Sequence, residues 1–584
     1  MGESVEVLFR KSSPIDDPEA RYPGFRPGTT VLPKGSVHRK GALPLPCDIV
    51  FERDVAVPLR DGAVIYVDIF RPAGASRVPA VLACSPYGKG GGYQSLDQFP
   101  RRAGVPVSAL SNLQTWEGPD PAYWCDHGYA VVNADARGAF MSQGDIRFWG
   151  SQEGQDGHDL VEWLAGQHWC IGTCGLTGNS WLAIVQWFIA AERPPHLAAI
   201  APWEGFCDFY RHSIGRGGIP DVGFNEHIIA HLYGNNRTED VPAMIDKYPL
   251  MNAYWENKAA MLERIEVPAY VVASYTNPAH GEGALRGYEG ISSTSKWLRI
   301  HNRLEWPDYY APANLEDLRR FFDRYLKNMA NGWEETPRVR LSVLDPGGSD
   351  EVNRPEREFP PANTRYQPLF LDGVSGRLLR EPTSRQSSVI YRADDKKGMA
   401  TFSIAFDRET ELIGHVSLRL WVEARGGGDI DLFARVQKLD RKGKVLSHTP
   451  IKVPGPAKAI MKILSAVGIL KGGLMFYSGP NGRMRVSHRH LDAAKSTPAQ
   501  PYHTHAEEEL VSPGEIVPVD IPLLPIGMRW HPGEHLRLTL SGYDTGGPTL
   551  PGLPVAPTRN RGEHIIHTGG KYDSHLLVPV VREG

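Results

Sequence analysis

Ser180 is the residue whose sequence surroundings are best suited to chemistry. It stands in Gly-Leu-Thr-Gly-Asn-Ser-Trp-Leu-Ala, with a predicted strand at 173–177 before it and a predicted helix at 181–192 after it. Such a strand–turn–helix elbow holds a serine hydroxyl at the end of a parallel strand, where it can attack a carbonyl. The Gly-x-Ser-x-Gly pattern is met only loosely, since Leu-Ala at 182–183 replaces the last glycine. A plain turn serine is therefore the alternative.

A serine nucleophile also needs hydrogen-bond donors for the oxyanion that forms on the substrate. The backbone N–H of Trp181 is the first candidate, because the residue after the nucleophile begins the helix. Tyr87 is the second candidate, since it follows the buried run 78–84 in Ser-Pro-Tyr-Gly-Lys-Gly and its phenol can donate. A buried packing tyrosine is the alternative for Tyr87.

The elements that must position these residues follow from hydrophobic patterning. Short apolar runs alternate with helical stretches over 47–205 and 263–335, which predicts a parallel sheet covered by helices. Residues 206–262 are rich in Gly, His, Asn and aromatics and predict a helical cap inserted in that domain. Residues 336–584 contain short strand-like runs between Gly/Pro turns and predict an all-β sandwich or jelly roll. Residues 1–46 predict an extended arm.

Several motifs occur in order along the chain: Val57-Pro-Leu-Arg60-Asp61-Gly62, Ser85-Pro86-Tyr87, Asp135-Ala-Arg137-Gly138-x-x-x-Ser142-x-Gly144, Asp156-x-x-Asp159-Leu-Val-Glu-Trp163, Gln167-His-Trp169-Cys170, Gly178-Asn-Ser180-Trp181, Phe321-Phe322-Asp323-Arg324-Tyr325 and His564-x-x-His567-Thr-Gly-Gly. Together they resemble the cocaine-esterase and X-prolyl dipeptidyl-peptidase family of serine hydrolases, from residue 48 to the C-terminus. The resemblance implies an α/β-hydrolase core with an inserted helical cap and a C-terminal jelly-roll β-sandwich. It also implies that Ser180 is the nucleophile and that Tyr87 and the Trp181 N–H form the oxyanion hole.

The sequence departs from that family at both expected partners of the serine. Asn277 stands where the family has Asp, and Glu305 stands near where it has His. His280 lies three residues after Asn277. We therefore expect an exchanged arrangement, in which His280 is the general base on Ser180 and Glu305 holds the imidazole, because the chemistry depends on geometry and not on chain order.

Each of these assignments has an alternative. His280 as a pocket histidine that only binds substrate is one, and Glu305 as an ion-pair partner of Arg303 is another. His301 competes as the base, and Asp308 competes with Glu305 as the group that orients it.

Aromatic side chains and a histidine follow the next predicted strand and enter the inserted segment. We expect them to form a wall of the substrate pocket, although aromatic clusters are more often part of a hydrophobic core. These residues are Trp203, Phe206, Tyr210 and His212.

Metal and cofactor chemistry is not expected. His488 and His490, like His503 and His505, have the spacing of two imidazoles on one strand face. No carboxylate pattern completes a metal site there, so we expect these to be half-exposed histidines on strands. The family resemblance implies no cofactor.

Bulk composition excludes some classes of protein. The formal net charge is −3, which lacks the basic excess of nucleic-acid binding. Six cysteines without paired Cys-x-x-Cys motifs favour a reducing compartment, and residues 1–17 lack the apolar core of a signal peptide, so we expect a cytoplasmic protein. No membrane span is expected, because lysines interrupt the most apolar stretch, 457–476, for which a helix packed on the protein is predicted.

The function expected from these observations is hydrolysis of an ester, lactone or amide through an acyl-enzyme on Ser180. The enzyme would be a carboxylic-ester or X-prolyl peptide hydrolase that acts on a small-molecule acyl substrate. Two alternatives stay open: a non-hydrolytic acyltransferase, lyase or cyclase of specialised metabolism on the same site, and a catalytically inactive binding protein. A homo-oligomer is also left open by the sequence.

Overall fold

The fold is described from a computed structural model of the chain. The structure describes residues 5–74, 77–451, 476–546 and 552–582. The α-helices in these ranges are α1 (Pro121–Asp126), α2 (Ser151–Ala165), α3 (Trp181–Ala191), α4 (Gly223–Ile229), α5 (Val241–Lys247), α6 (Ala253–Asn257), α7 (Gly281–Gly290), α8 (Glu305–Tyr309) and α9 (Pro312–Tyr325).

The strands fall into two large groups along the chain. Those of the first group are β1 (Phe9–Lys11), β2 (Gly28–Leu32), β3 (Ile49–Pro58), β4 (Val64–Pro72), β5 (Val78–Ser85), β6 (Ala130–Asp135), β7 (Cys170–Asn179), β8 (Leu197–Trp203), β9 (Arg237–Glu239), β10 (Ala269–Ser274), β11 (Lys296–His301), β12 (Val339–Val343) and β13 (Glu351–Glu356). The first sheet has the order β13-β12-β11-β10-β8-β7-β5-β6-β4-β3-β2, and β1 pairs separately with β9.

The centre of the first sheet is parallel, as the alternating pattern predicts. Strands β6, β5, β7, β8, β10, β11 and β12 pair in parallel, whereas β4, β3, β2 and β13 join the edges antiparallel. Every residue of β5, β6 and β10 is buried. Helices cover both faces of such a sheet, which is why its strands appear in the sequence as continuous apolar runs. The predicted α/β-hydrolase core is confirmed.

The C-terminal domain is all-β, as predicted. Its strands are β14 (Thr364–Asp372), β15 (Arg377–Leu379), β16 (Ser387–Arg392), β17 (Met399–Ala405), β18 (Thr410–Arg425), β19 (Asp431–Leu439), β20 (Val445–Leu446), β21 (Asn481–Arg485), β22 (Val517–Trp530), β23 (His535–Ser541), β24 (Glu563–Thr568) and β25 (His575–Val581). The long strand β18 pairs with β22, β24 and β25, and its register shifts between Gly414 and Val416. One continuous strand therefore links several parts of the sandwich.

The boundary predicted at residue 336 stays a prediction, and strand pairing crosses it. The first strands after it, β12 and β13, belong to the hydrolase sheet, where Leu298 pairs with Val339 in parallel register. The strands of the second large sheet begin with β14. A short apolar strand carries no sequence mark of the sheet it joins, because strand pairing is a long-range contact.

The arm and the inserted segment both border the hydrolase sheet. The predicted arm, 1–46, contributes β2 to the edge of that sheet and β1 to a pair with β9 of the insertion. The insertion, 206–262, contains short helices α4 to α6. The predicted helix at 457–476 lies outside the described residues, apart from Phe476. Among the described helices, none has the length and apolar character needed to cross a bilayer.

Candidate active site

The candidate residues lie where adjacent parallel strands of the first sheet end. Ser180 follows β7, Tyr87 follows β5 on one side of it, and Glu204 follows β8 on the other. His280 and Glu305 follow β10 and β11, the next two strands in the same direction. Because parallel strands end at one edge of a sheet, residues far apart in sequence converge there.

Ser180 adopts the backbone conformation of a nucleophile elbow. Its φ and ψ are 52° and −118°, a strained combination for a residue with a side chain, and α3 begins at the next residue. The turn is held by hydrogen bonds from Ser180 N to Glu204 O at 3.1 Å and from Asn179 N to Glu117 O at 3.2 Å. The side chain of Ser180 is partly exposed although its neighbours are buried. The elbow thus presents one hydroxyl above the sheet.

His280 lies against this hydroxyl. Its Nε2 is 3.2 Å from Ser180 Oγ. The ring is 6% exposed and stacks on Phe206 with a centroid separation of 5.7 Å. Burial lowers the pKa of His280 to about 4, so the imidazole is neutral at pH 7 and can accept a proton.

Tyr87 and Trp181 flank the serine. Their rings pack edge to face at 5.8 Å. Burial raises the pKa of the Tyr87 phenol well above its usual value, while a hydrogen bond with Ser180 acts in the opposite direction. The phenol therefore keeps its proton and can donate a hydrogen bond. The N–H of Trp181 is the first of α3 and has no acceptor within the helix. Both donors are placed beside the hydroxyl.

Glu305 does not make the expected bond to His280. It accepts a hydrogen bond from Asn277 Nδ2 at 3.3 Å instead, and the same amide donates to Glu204 Oε2 at 2.7 Å. The Nδ1 atom of His280 is buried and has no hydrogen-bond partner among the described residues. Asn277, in the loop after β10, therefore holds Glu305 at a position from which it does not orient the imidazole.

The competing residues also have other partners. His301 Nε2 bonds to Glu204 Oε1, and Asp308 pairs with the buried Arg299. No salt bridge joins Arg303 to Glu305 among the described residues, where Glu305 bonds to Asn277 instead. In this geometry His301 does not take the place of His280 beside the serine. Asp308 does not take the orienting role that was expected of Glu305.

Two glutamates at the site were missed by the sequence reasoning. Glu204 is fully buried with φ 61° and bridges His301 and Asn277, and Glu117 accepts a bond from Trp306 Nε1 at 2.8 Å. Burial raises the pKa of Glu117 to about 8, and burial together with the charges of Glu204 and Glu117 raises that of Glu305 well above its usual value. A polar residue directly after a buried strand was the signal for Glu204.

The predicted wall residues separate into two groups. Phe206 stacks on His280, and His212 lines a cavity near the same loop. Trp203 lies in the core, where it packs on Tyr270, and Tyr210 donates to the carbonyl of Pro249. Trp203 thus belongs to the sheet and Tyr210 to the packing of the insertion.

The paired histidines of the C-terminal domain are mostly buried. His488 Nδ1 lies 3.1 Å from His505 Nδ1, and the ring of His503 lies 5.8 Å from that of His505. His490 is exposed and has glutamate oxygens nearby. The ring of His505 also packs on Tyr210 of the insertion at 5.2 Å, and Arg211 Nε donates to the carbonyl of His503 at 3.1 Å, so these buried histidines take part in packing between the insertion and the C-terminal domain.

Comparison with known proteins identifies the family. The family model of X-Pro dipeptidyl-peptidase (S15 family) matches residues 61–240, and that of the X-Pro dipeptidyl-peptidase C-terminal non-catalytic domain matches 331–577. Cocaine esterase of Rhodococcus sp. (strain MB1 Bresler) is 27% identical over 623 residues, which cover 91% of this chain and 98% of that protein. A putative serine esterase of Mycobacterium bovis is 22% identical and covers 90% and 95%.

Solved structures agree with this result. The crystal structure of a CocE/NonD family hydrolase from Staphylococcus aureus is 33% identical, with a TM-score of 0.86, and covers 99% of each chain. An α-amino acid ester hydrolase shares the fold at 14% identity and a TM-score of 0.67. The chain belongs to the CocE/NonD family of hydrolases and is a serine hydrolase.

Proposed function

We propose that the protein hydrolyses an ester of a small molecule through an acyl-enzyme on Ser180, with His280 as general base. The observation that carries this proposal is the 3.2 Å contact between His280 Nε2 and the Ser180 hydroxyl, at a serine held with positive φ before a helix. A base within hydrogen-bond reach of a strained, partly exposed serine is the geometry that nucleophilic catalysis requires.

The two halves of the reaction use the same four groups. Ser180 Oγ bonds to the substrate carbonyl carbon as its proton passes to His280 Nε2, and the oxyanion receives hydrogen bonds from Tyr87 and the N–H of Trp181. The bond to the leaving group then breaks, and His280 returns the proton to the departing oxygen. Water adds to the acyl-enzyme with His280 accepting its proton, and release of the acid restores the serine hydroxyl. Each oxyanion donor is worth about 3–4 kcal/mol in such sites.

We propose that the catalytic residues are a Ser–His dyad, formed by Ser180 and His280. The imidazole of His280 is held by its stacking on Phe206 and by its place at the start of α7, where Ala284 N donates to its carbonyl at 2.9 Å. A ring restricted in this way needs no carboxylate to keep its Nε2 directed at the serine. This replaces the expected role of Glu305 as the orienting group.

The substrate class is proposed from the relatives. Cocaine esterase and the putative serine esterases match nearly the whole chain, whereas a putative Xaa-Pro dipeptidyl-peptidase of Streptomyces avermitilis matches 49% of it at 20% identity. An ester is therefore proposed over an X-prolyl peptide, a lactone or another amide. A cytoplasmic location and a homo-oligomer stay predictions; the six cysteines are free thiols, which supports a reducing compartment.

The proposal is tested by labelling and turnover together. A fluorophosphonate should label the wild-type protein and fail to label Ser180→Ala, and p-nitrophenyl esters should release acid. His280→Ala should lower kcat/KM by about a thousandfold or more, since serine and base act as a unit. His196→Ala is the control, because that imidazole is exposed and pairs with Glu162 on the surface.

Three results would contradict the proposal. Absence of label on Ser180 would favour an inactive binding protein. A labelled protein that transfers the acyl group to a second substrate and releases no acid would favour an acyltransferase. Near-normal turnover by folded His280→Ala would exclude the proposed base.

A further inference from the structure

A cavity of about 230 Å³ lies between the loop that carries His280 and the C-terminal domain. Thr276, Pro278 and Ala279 line it from the hydrolase side, next to Asn277 and directly before the base. His212 of the insertion and Tyr477 of the C-terminal domain line it from the other sides. Three parts of the chain therefore enclose a space beside the catalytic loop.

The charges that line this cavity do not balance. Its charged lining residues are the guanidinium groups of Arg216, Arg435 and Arg483 and the carboxylates of Asp221 and Asp544. Arg483 pairs with Asp221 at 2.9 Å, and Arg435 pairs with Asp544 at 3.2 Å. The remaining positive charge is that of Arg216.

Arg216 is buried, and its carboxylate contact is long. Its terminal nitrogens donate to the side chain and carbonyl of Asn481 at 2.9 and 2.7 Å, and its nearest carboxylate oxygen, on Glu282, is 3.9 Å from Nε. The side chain is 12% exposed, and burial lowers its pKa to about 10. A buried guanidinium whose close partners are neutral is costly, and an anionic ligand would offset that cost.

We propose that this cavity is an anion subsite in which Arg216, with Arg483 and Arg435, binds a carboxylate carried by the substrate. Planar guanidinium groups suit a carboxylate because each can donate two parallel hydrogen bonds to it. The cavity borders the loop that carries His280, so a carboxylate held there would lie beside that loop, and the length of the substrate would decide whether its ester reaches Ser180. This inference rests on the proposed function and narrows its substrates to esters with a free acid group.

The test compares matched esters. The charged substrates are the mono-p-nitrophenyl esters of glutaric, adipic and suberic acids, called half-esters because one acid group stays free. Each is paired with the diester in which that free acid group is methylated, which removes the charge at nearly constant size. We expect the wild-type kcat/KM to favour at least one half-ester over its methyl ester by about tenfold or more, the range of a charge-assisted hydrogen bond. Free dicarboxylate should inhibit competitively.

Two variants and a control assign the effect to the cavity. Arg216→Gln should lower kcat/KM for the preferred half-ester by about tenfold or more, mainly through KM, and change that of the methyl ester little. Arg483→Lys keeps the charge but loses the planar fork, so it should have a smaller effect in the same direction. Arg419→Gln is the control, since Arg419 belongs to the C-terminal domain, does not line the cavity and has a side chain that is 33% exposed. If Arg216→Gln fails to fold, Arg435→Gln replaces it.

The outcomes separate this inference from the proposed function. If Ser180 is labelled and neutral esters turn over without any preference for the half-esters, the subsite is wrong and the hydrolase stands. Noncompetitive inhibition by dicarboxylate would also overturn the subsite, because the anion would then bind as an effector and not as part of the substrate. If Ser180 is not labelled, the proposed function itself fails.

Discussion

At the scale of single residues, the environment of His280 decides how the imidazole would act as the proposed base. The imidazole is buried, stacked on Phe206 and 3.2 Å from Ser180 Oγ, with no partner on Nδ1 among the described residues. Without a nearby carboxylate, burial alone acts on its charge and disfavours the protonated form. The proposed base is therefore a weak one, and its imidazole is neutral over a wide range of pH.

This gives a prediction for the pH dependence of turnover. Protonation of His280 removes the base, and its pKa is lowered to about 4, so kcat/KM should keep its value well below pH 6.5 and fall only as the pH approaches about 4. An unperturbed histidine would give an acid limb near pH 6.5. The measurement is a kcat/KM profile for a neutral ester. Circular dichroism at each pH serves as a control for unfolding.

A fall in kcat/KM near pH 6.5 in the folded enzyme would contradict the proposal that a buried Ser–His dyad carries the reaction. It would mean that the imidazole is solvated or that a carboxylate raises its pKa. The neutral ester is required because a charged substrate brings its own titration.

At the scale of elements, the tight turn between β7 and α3 depends on glycine. Gly178 has φ +135°, and a Cβ there would lie 2.6 Å from the Leu182 side chain and 3.2 Å from Glu117 O. The turn can thus pass close to the first turn of α3 only without a side chain at this position. The position of the Ser180 hydroxyl follows from that close approach.

Gly178→Ala should therefore be more harmful than an equivalent change elsewhere in β7. Relative to the control variant, we expect the free energy of unfolding to fall by about 1–3 kcal/mol more, because of overpacking. We also expect kcat/KM to fall by about tenfold to a hundredfold, because the serine is displaced. The matched control is Gly172→Ala, where φ is +92° but nothing lies within 4 Å of the new Cβ. Chemical denaturation and ester turnover measure both effects. Equal losses in the two variants would show that crowding at the elbow is unimportant.

At the scale of the whole molecule, a buried ion pair joins the two domains. Lys438 of β19 is 1% exposed and bonds to Asp345, which follows β12, at 2.6 Å and to Glu534 at 3.0 Å. His531 also bonds to Asp345, at 2.9 Å. The contact fixes the all-β domain against the edge of the hydrolase sheet, and the cavity with Arg216 lies between the same two domains.

Lys438→Met should destabilise the protein by about 3–5 kcal/mol, because it leaves the Asp345 carboxylate buried without its ammonium partner. Arg392→Met is the control; that pair with Asp394 is exposed, so the change should cost less than about 1 kcal/mol. Denaturant unfolding measures both. A small loss for Lys438→Met would show that water or another cation replaces the ammonium group, and that the domains do not depend on this pair.

Local patterns in the sequence determined the elements and the identity of the candidate nucleophile. The elbow at Ser180, the strand before Tyr87 and the helix after Trp181 depend on neighbours in the chain, and the structure has β7, β5 and α3 in those places. Periodicity and turn residues are short-range signals, so one sequence is enough to interpret them.

Only the tertiary structure decided the partners of Glu305 and the position of β12. Asn277, whose amide also donates to Glu204, bonds to Glu305 in place of His280, and β12 joins the hydrolase sheet through parallel pairing with β11. The three arginines of the cavity likewise come from separate segments. Such contacts join residues tens to hundreds of positions apart, and their geometry depends on packing, which local sequence patterns do not encode.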